Sequence, residues 1–352
     1  MIFLGDVAVP ESVHPRVGAW RERFGDAMTV ANLEGALVCP GDEGARRDGL
    51  YNDAAVLQYL AELSTRVVGL ANNHILDAGL APSTTVERLA AAGIRACGAG
   101  DDWTQASRPA TIHEDGRERV FLAFGWEAIR CRAATPAHPG VNPLRPDHVL
   151  ASVKAARRAH PDATLVLLMH WGYELELYPH PMHRQLAFAA VDAGADCIVG
   201  THSHCVQGVE TYRGAPIAYG LGNWFLPQGE FLDQGLVYPP FARRQLALEW
   251  DPENGTSVCH LFDYRPEDHS VEHVESEPLE RCAEVRERTP FAGMPHERYV
   301  RWFAANRRKK RLLPVYHDYR HERINRLKDH WVQLRHSLIQ GLVLLKLKGG
   351  VR

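Results

Sequence analysis

No run of apolar residues in this 352-residue chain approaches the roughly 18 needed to cross a bilayer as a helix. No membrane-spanning helix is expected within these residues. Paired cysteine spacing is missing too: Cys39, Cys97, Cys131, Cys197, Cys205, Cys259 and Cys282 occur without a single C-x-x-C. An odd, scattered set excludes a small disulfide-stapled scaffold and predicts reduced thiols. Internal repeats and low-complexity tracts are absent, which sets aside repeat arrays and disordered chains. No charged or apolar leader precedes the first apolar run, which opens at Met1, so the sequence predicts a cytoplasmic protein.

What remains is an ordinary globular composition, 45% hydrophobic and 24% charged, able to bury a sizeable core. Short apolar runs at 1–4, 67–71, 165–169, 197–199 and 217–221 read as buried strands. Segments with helical spacing at 54–63, 84–92, 148–159 and 184–193 alternate with them, the pattern of a layered α/β domain. Residues 130–146 show neither period and read as a loop near the functional mouth. Residues 244–250 and 257–264 alternate like strands of a second sheet, and 266–277 is acidic and exposed in this reading. The division expected is a main domain at 1–296 and a basic helical extension at 297–352.

Most of the apolar runs stop at a residue that binds divalent metals or phosphate. Six segments share this polar character: Gly5-Asp6, Asn32-Leu33-Glu34, Asn72-Asn73-His74, His170-Trp171-Gly172, Gly200-Thr201-His202-Ser203-His204 and Gly222-Asn223. Loops at strand ends carry the chemistry in layered α/β folds, so the set predicts one polar, metal-binding mouth.

In chain order these phrases, GDV, NLEG, GLANNHILDAG, HWGYE, VGTHSHCVQGVE and IAYGLGNWF, resemble the CapA family of capsule or poly-γ-glutamate synthesis proteins. That family is built on the calcineurin-like metallophosphoesterase fold. The resemblance covers about the first two thirds of the chain and fades past Phe225. It implies a four-layer αββα sandwich, with the C-terminal helices as an appendage.

By the same resemblance two divalent metal ions, Mn, Fe or Zn, would be bound. Asp6 and His204 would hold the first, Glu34 would bridge, and Asn73, His170 and His202 would hold the second. His202 and His204 would share a face if their segment were extended; the family puts such a pair on a loop. His74 matches the residue that contacts phosphate and protonates the leaving group, with Asp77 as its orienting carboxylate. Asn223 matches the family's Gly-Asn-Phe phrase and is assigned with Glu174 and Arg47 to substrate contact. Related metallophosphoesterases begin Asp-x-His, whereas Ala8 stands two residues after Asp6, which leaves the first metal with Asp6, Glu34 and His204.

The loop after His170 offers Tyr173, Glu174, Glu176, His180 and His183 as rim residues, and Arg46, Arg47, Arg130, Arg132 and Arg145 fall in loops within reach of the mouth. Residues 301–352 carry 14 Lys or Arg against 3 Asp or Glu, a net +11 beside a body of −14. The run RRKKR at 307–311 reads as a solvated helix face, which weighs against a nucleic-acid partner. A last helix at 329–348 lines up Trp331, Leu334, Leu338, Leu342 and Leu345, one apolar stripe that has to bury against something. Its expected partner is the chain's own core or a twin subunit, the simpler explanations, with a membrane surface as the alternative.

Three functions follow as expectations. The first is hydrolysis of a phosphate ester at a dinuclear site. The second is capsule, poly-γ-glutamate or secondary-metabolite assembly, in which the chain binds an anionic small molecule, a polymer or a partner. The third is cleavage of γ-glutamyl amide bonds.

Overall fold

Strand Ile2–Val7 is buried at all six positions, as a strand covered on both faces must be, and the fold grows outward from it. The computed structural model describes residues 1–10, 13–231, 234–308 and 312–344, without side-chain surroundings for 229–236 and 340–344. On one side Ile2–Val7 pairs in parallel with Thr29–Leu33, followed by Thr65–Gly69 and Arg95–Cys97. On the other it pairs antiparallel with Arg244–Asp251, and the sheet continues through Thr256–Arg265 and Ser270–Pro278. Short strand Asn223–Phe225 runs parallel to the end of Ile2–Val7.

Two expectations are corrected here. The strands between 244 and 264 extend the first sheet instead of forming another, because alternation fixes the buried face and leaves the partner edge open. Ser270–Pro278, foreseen only as acidic and exposed, is a strand whose outer half faces solvent.

The second sheet has the order Val209–Tyr212, Ala215–Ala218, Cys197–Thr201, Thr164–His170, Arg117–Gly125 and Ala110–Glu114, and its central strands are parallel. Helices Pro146–Ala159 and Pro181–Asp192 supply two of its crossovers; Ala55–Glu62 and Pro82–Ala91 do the same for the first sheet. Three of these helices open on proline, whose fixed φ and missing N–H suit the first helical position. Each began two or three residues earlier than its apolar spacing indicated. Right-handed crossovers that progress in one direction put each helix pair on one face of its sheet. The bare faces meet: a Cβ on Gly69 of the first sheet would lie 3.3 Å from Leu168 Cδ1 of the second. The result is four layers, αββα.

The extension packs on this body. His296–Asn306 buries Tyr299 and Phe303, and the Tyr299 hydroxyl donates to Pro179 O at 2.6 Å. The last helix, Glu322–Leu344, begins at Glu322 instead of 329 and lies against the turn Glu127–Ile129. Gln333 donates to Glu127 O at 3.3 Å. Lys309–Arg311 of the basic run, and the Leu342 and Leu345 side chains of the stripe, lie outside the described residues.

Candidate metal centre

Strand register brings the polar residues level. Asp6 stands opposite both Asn32 and Asn223, and His170 stands opposite Thr201. The first alignment needs glycine at position 5, where a Cβ would sit 1.9 Å from Gly222 O. Asp6 N donates to that same carbonyl at 3.1 Å.

Asp6, fully buried, accepts from Asn32 Nδ2 at 2.7 Å and from His202 N at 3.1 Å. His204 Nδ1 donates to Asn223 Oδ1 at 2.8 Å, which leaves Nε2 as its remaining ligand atom. His170 bridges Thr201 Oγ1 at 3.0 Å and Asn73 Oδ1 at 2.9 Å. The pair His202 and His204 sits past the end of strand Cys197–Thr201 at φ of 82° and 51°. Only a few per cent of L-residues adopt that region, histidine among those that do so more readily. The bend separates the two ring centroids by 5.6 Å.

Glu34 is fully buried, and neither carboxylate oxygen has a hydrogen-bond partner; His202 Nδ1 is also unpartnered. Ligand atoms of Glu34, His202 and His204 lie within 4.8 Å of one another, the one such cluster of three among the described residues. An ionised carboxylate is not tolerated alone in a core. A divalent cation fits this donor set of hard oxygen and imidazole nitrogen. Electrostatics agree: burial, reinforced by the Asp6 charge, pushes the Glu34 carboxyl well above its ordinary range. Burial also raises Asp6, against the opposing pull of His204, and drives His170 and His202 well down toward neutral imidazole.

His74 lies at the edge of this cluster, with its side chain 22% exposed; Nδ1 is 2.7 Å from Asp77 Oδ2 and Nε2 is 3.7 Å from Glu34 Oε1. Asp77 also accepts from Leu50 N at 3.3 Å. Asn72 ties the loop to its neighbour: Oδ1 accepts from Gly35 N and His74 N, and Nδ2 donates to Leu33 O. Ala8, in place of the missing histidine, is buried in an apolar cluster with Leu50, Cys205 and Tyr238. The Tyr238 ring lies 5.3 Å from that of His204.

Glu174 is exposed, and its charge acts on Glu34 after burial and Asp6. Arg47 is exposed, its guanidinium 5.4 Å from the Tyr51 ring centroid. Asn223 is 3% exposed and holds His204. His180 and His183 are not at the rim. They are buried among Trp126, Trp171, Tyr173 and Tyr316, with no partner for any ring nitrogen. Arg145 is engaged by Glu127 and Arg130 by His336. Asn72, Thr201 and Tyr238 were missed. The first two stand inside the quoted phrases, whereas Tyr238 carries no signal in sequence.

Residues 10–228, from just after Asp6 to just past Asn223, match the family described as bacterial capsule synthesis protein PGA_cap. The chain belongs to that family. This PGA_cap chain is 33% identical over 251 residues to a probable polyglutamine synthesis accessory protein of Mycobacterium tuberculosis, covering 62% of this chain and 64% of that one. It is 33% identical over 182 residues to the PGA biosynthesis protein CapA of Bacillus subtilis, covering 51% and 47%. The PGA_cap chain thus spans less than two thirds of the length of these relatives. Among solved structures, a 5′-nucleotidase precursor from Thermus thermophilus aligns at 14% identity and a TM-score of 0.33, covering 71% of this chain and 44% of that one. No helix among the described residues is long and apolar enough to cross a membrane.

Proposed function

We propose that this chain is a metal-dependent hydrolase acting on an anionic substrate, with a phosphate ester as the first bond class. The observation that carries the reading is the buried Glu34 carboxylate, unpartnered beside His202 and His204, with His74 Nε2 3.7 Å from Glu34 Oε1. Asp6, Glu34 and His204 would hold one divalent cation, Asn73, His170 and His202 a second, with Glu34 shared. Mn, Fe and Zn all suit mixed oxygen and imidazole donors. When bound, such cations polarise the reacting oxygen and lower the pKa of water.

The chain's own groups do the rest. Asp77 fixes the His74 tautomer by accepting from Nδ1–H and stabilises the imidazolium. Protonated His74 gives its Nε2 proton to the departing oxygen. Asn223 orients His204, and Glu174 and Arg47 meet the substrate.

Hydrolysis of a panel of phosphate mono- and diesters and γ-glutamyl amides, by protein supplied with Mn²⁺ and beside His74→Ala, tests this. Turnover lost in the variant supports the reading and names the bond class; γ-glutamyl turnover would move the assignment to amide chemistry. Metal uptake with silence across the panel overturns hydrolysis.

A second reading is favoured by the relatives' names and the +11 tail: an accessory that binds an anionic polymer during its synthesis. Removing residues 301–352 would strip Phe303 and Tyr316 from the core. Charge reversal at the exposed Arg301, Arg308 and Arg323 is the cleaner test. Polyglutamate binding that survives reversal counts against this reading.

A further inference from the structure

The last helix has two unlike faces. One is fastened to the body: Asn325 and Val332 are buried, Asp329 accepts from the Tyr316 hydroxyl at 2.7 Å, and Asn325 donates to Asp318 O at 2.8 Å. The opposite face carries Ile324, Leu327, Trp331, Leu334 and Leu338, which are 45–71% exposed. Their spacing of three and four residues makes a continuous stripe. Trp331 Nε1 donates to Leu312 O, and Leu312 is itself 73% exposed, so the apolar strip extends beyond the helix. An exposed apolar row on a helix already anchored along its other side marks an interaction surface.

Charge decides the occupant. The stripe follows the seam positions of a heptad. Its flanks are Arg323 and His330 on one side and Arg335 on the other, where Lys328 turns back to the body and donates to Val315 O at 2.8 Å. Two copies laid seam to seam, parallel or antiparallel, would set basic flank against basic flank, the repulsive arrangement for a coiled coil. The acidic residues of the segment are placed elsewhere: Asp329 faces the body and Glu322 pairs with Arg326 at 3.0 Å. A tryptophan-bearing apolar stripe between basic margins is the surface that lies along an anionic membrane interface.

We propose that the outer face of Glu322–Leu344 docks this protein flat onto an anionic lipid bilayer. The apolar stripe enters the headgroup boundary and the arginines meet lipid phosphate. The proposal does not depend on hydrolysis, since binding alone reads it.

The test is co-sedimentation of the full chain with phosphatidylcholine vesicles, with and without about one third phosphatidylglycerol, at low salt. Expected is binding to the anionic vesicles, weakened tenfold or more by Leu327→Glu with Leu334→Glu, and roughly fivefold by Arg323→Glu. Both leucines are exposed, so circular dichroism should show the double variant folded. Equal binding by the double variant overturns the proposal, as does no binding by the native chain. A dimer in analytical ultracentrifugation that the double variant abolishes, without vesicle binding, assigns the face to a second copy and overturns it as well.

Discussion

Asp77 Oδ2 lies 2.7 Å from His74 Nδ1, while the other ring nitrogen of His74 points at Glu34 Oε1 from 3.7 Å. The imidazole therefore spans from a half-exposed carboxylate to the buried one. That is the position from which a proton can reach a substrate held at the mouth. Replacing His74 by Ala should lower kcat by about 10²–10⁴. Asp77→Asn should lower it by about tenfold or more with KM little changed, because Asn can present its amide N–H to Nδ1 and favour the wrong tautomer. Steady-state kinetics on the substrate identified by the panel measure both.

Glu34 is the shared ligand of the proposed site, so its replacement tests metal binding there. In the native chain Mn²⁺ at 100 times its Kd should add about 2.7 kcal/mol of stability, and Glu34→Gln should remove most of that gain. Without metal the sign is different. The Glu34 carboxyl is raised in the folded chain, so its stabilising contribution is full below its unfolded value of 4.5 and is lost as pH rises through the folded value. Metal-free native protein should therefore lose stability relative to Glu34→Gln as pH climbs above 4.5. Thermal melts of both proteins, with and without Mn²⁺, report the two effects.

His183 should make the fold acid-sensitive. Burial pushes its imidazole down from 6.5 to about 3. Its stabilising contribution is full above 6.5 and falls away as pH drops toward 3, by ~1.4 kcal/mol per pH unit. His183→Phe keeps a flat ring against Trp171 and removes the titration. Between pH 6.5 and 5 the native chain should lose ~2 kcal/mol more than the variant in urea unfolding; parallel curves would refute this.

Arg184 ties helix Pro181–Asp192 to strand Val209–Tyr212. Its guanidinium grips Glu210 with two bonds of 2.6 and 2.7 Å in a fully packed site, and also donates to Met294 O. Arg184→Met leaves the Glu210 charge buried with its Tyr219 partner alone among side chains. The cost should be about 3–5 kcal/mol, read from the urea midpoint.

The sequence announced those parallel strands that are short apolar runs closed by a polar phrase, as at Asp6, His170 and His202, but not Thr29–Leu33 or Arg117–Gly125, which are parallel as well. Those polar residues converge because strand ends lie level in a sheet, a property the phrases carry with them. Partner choice was less visible. Residues 244–264 alternate clearly, yet nothing in the alternation says that Ile2–Val7 offers them an open edge. Rim histidines were misplaced for a similar reason: His180 and His183 sit in a stretch that looks polar, and only the closing of Phe303 and Tyr316 over them makes it a core. Tyr238 reaches His204 from a segment without periodicity.

Asp6 takes hydrogen bonds from Asn32 and from His202, and sits in register with Asn223. Strand Ile2–Val7 is thus completed by residues about two hundred positions later, a very long loop to close. Until those residues are in place Asp6 and Glu34 lack His202 and His204, and Glu34 has His74 alone of the three imidazoles near it. At the proposed site, metal loading would therefore have to wait until that loop closes.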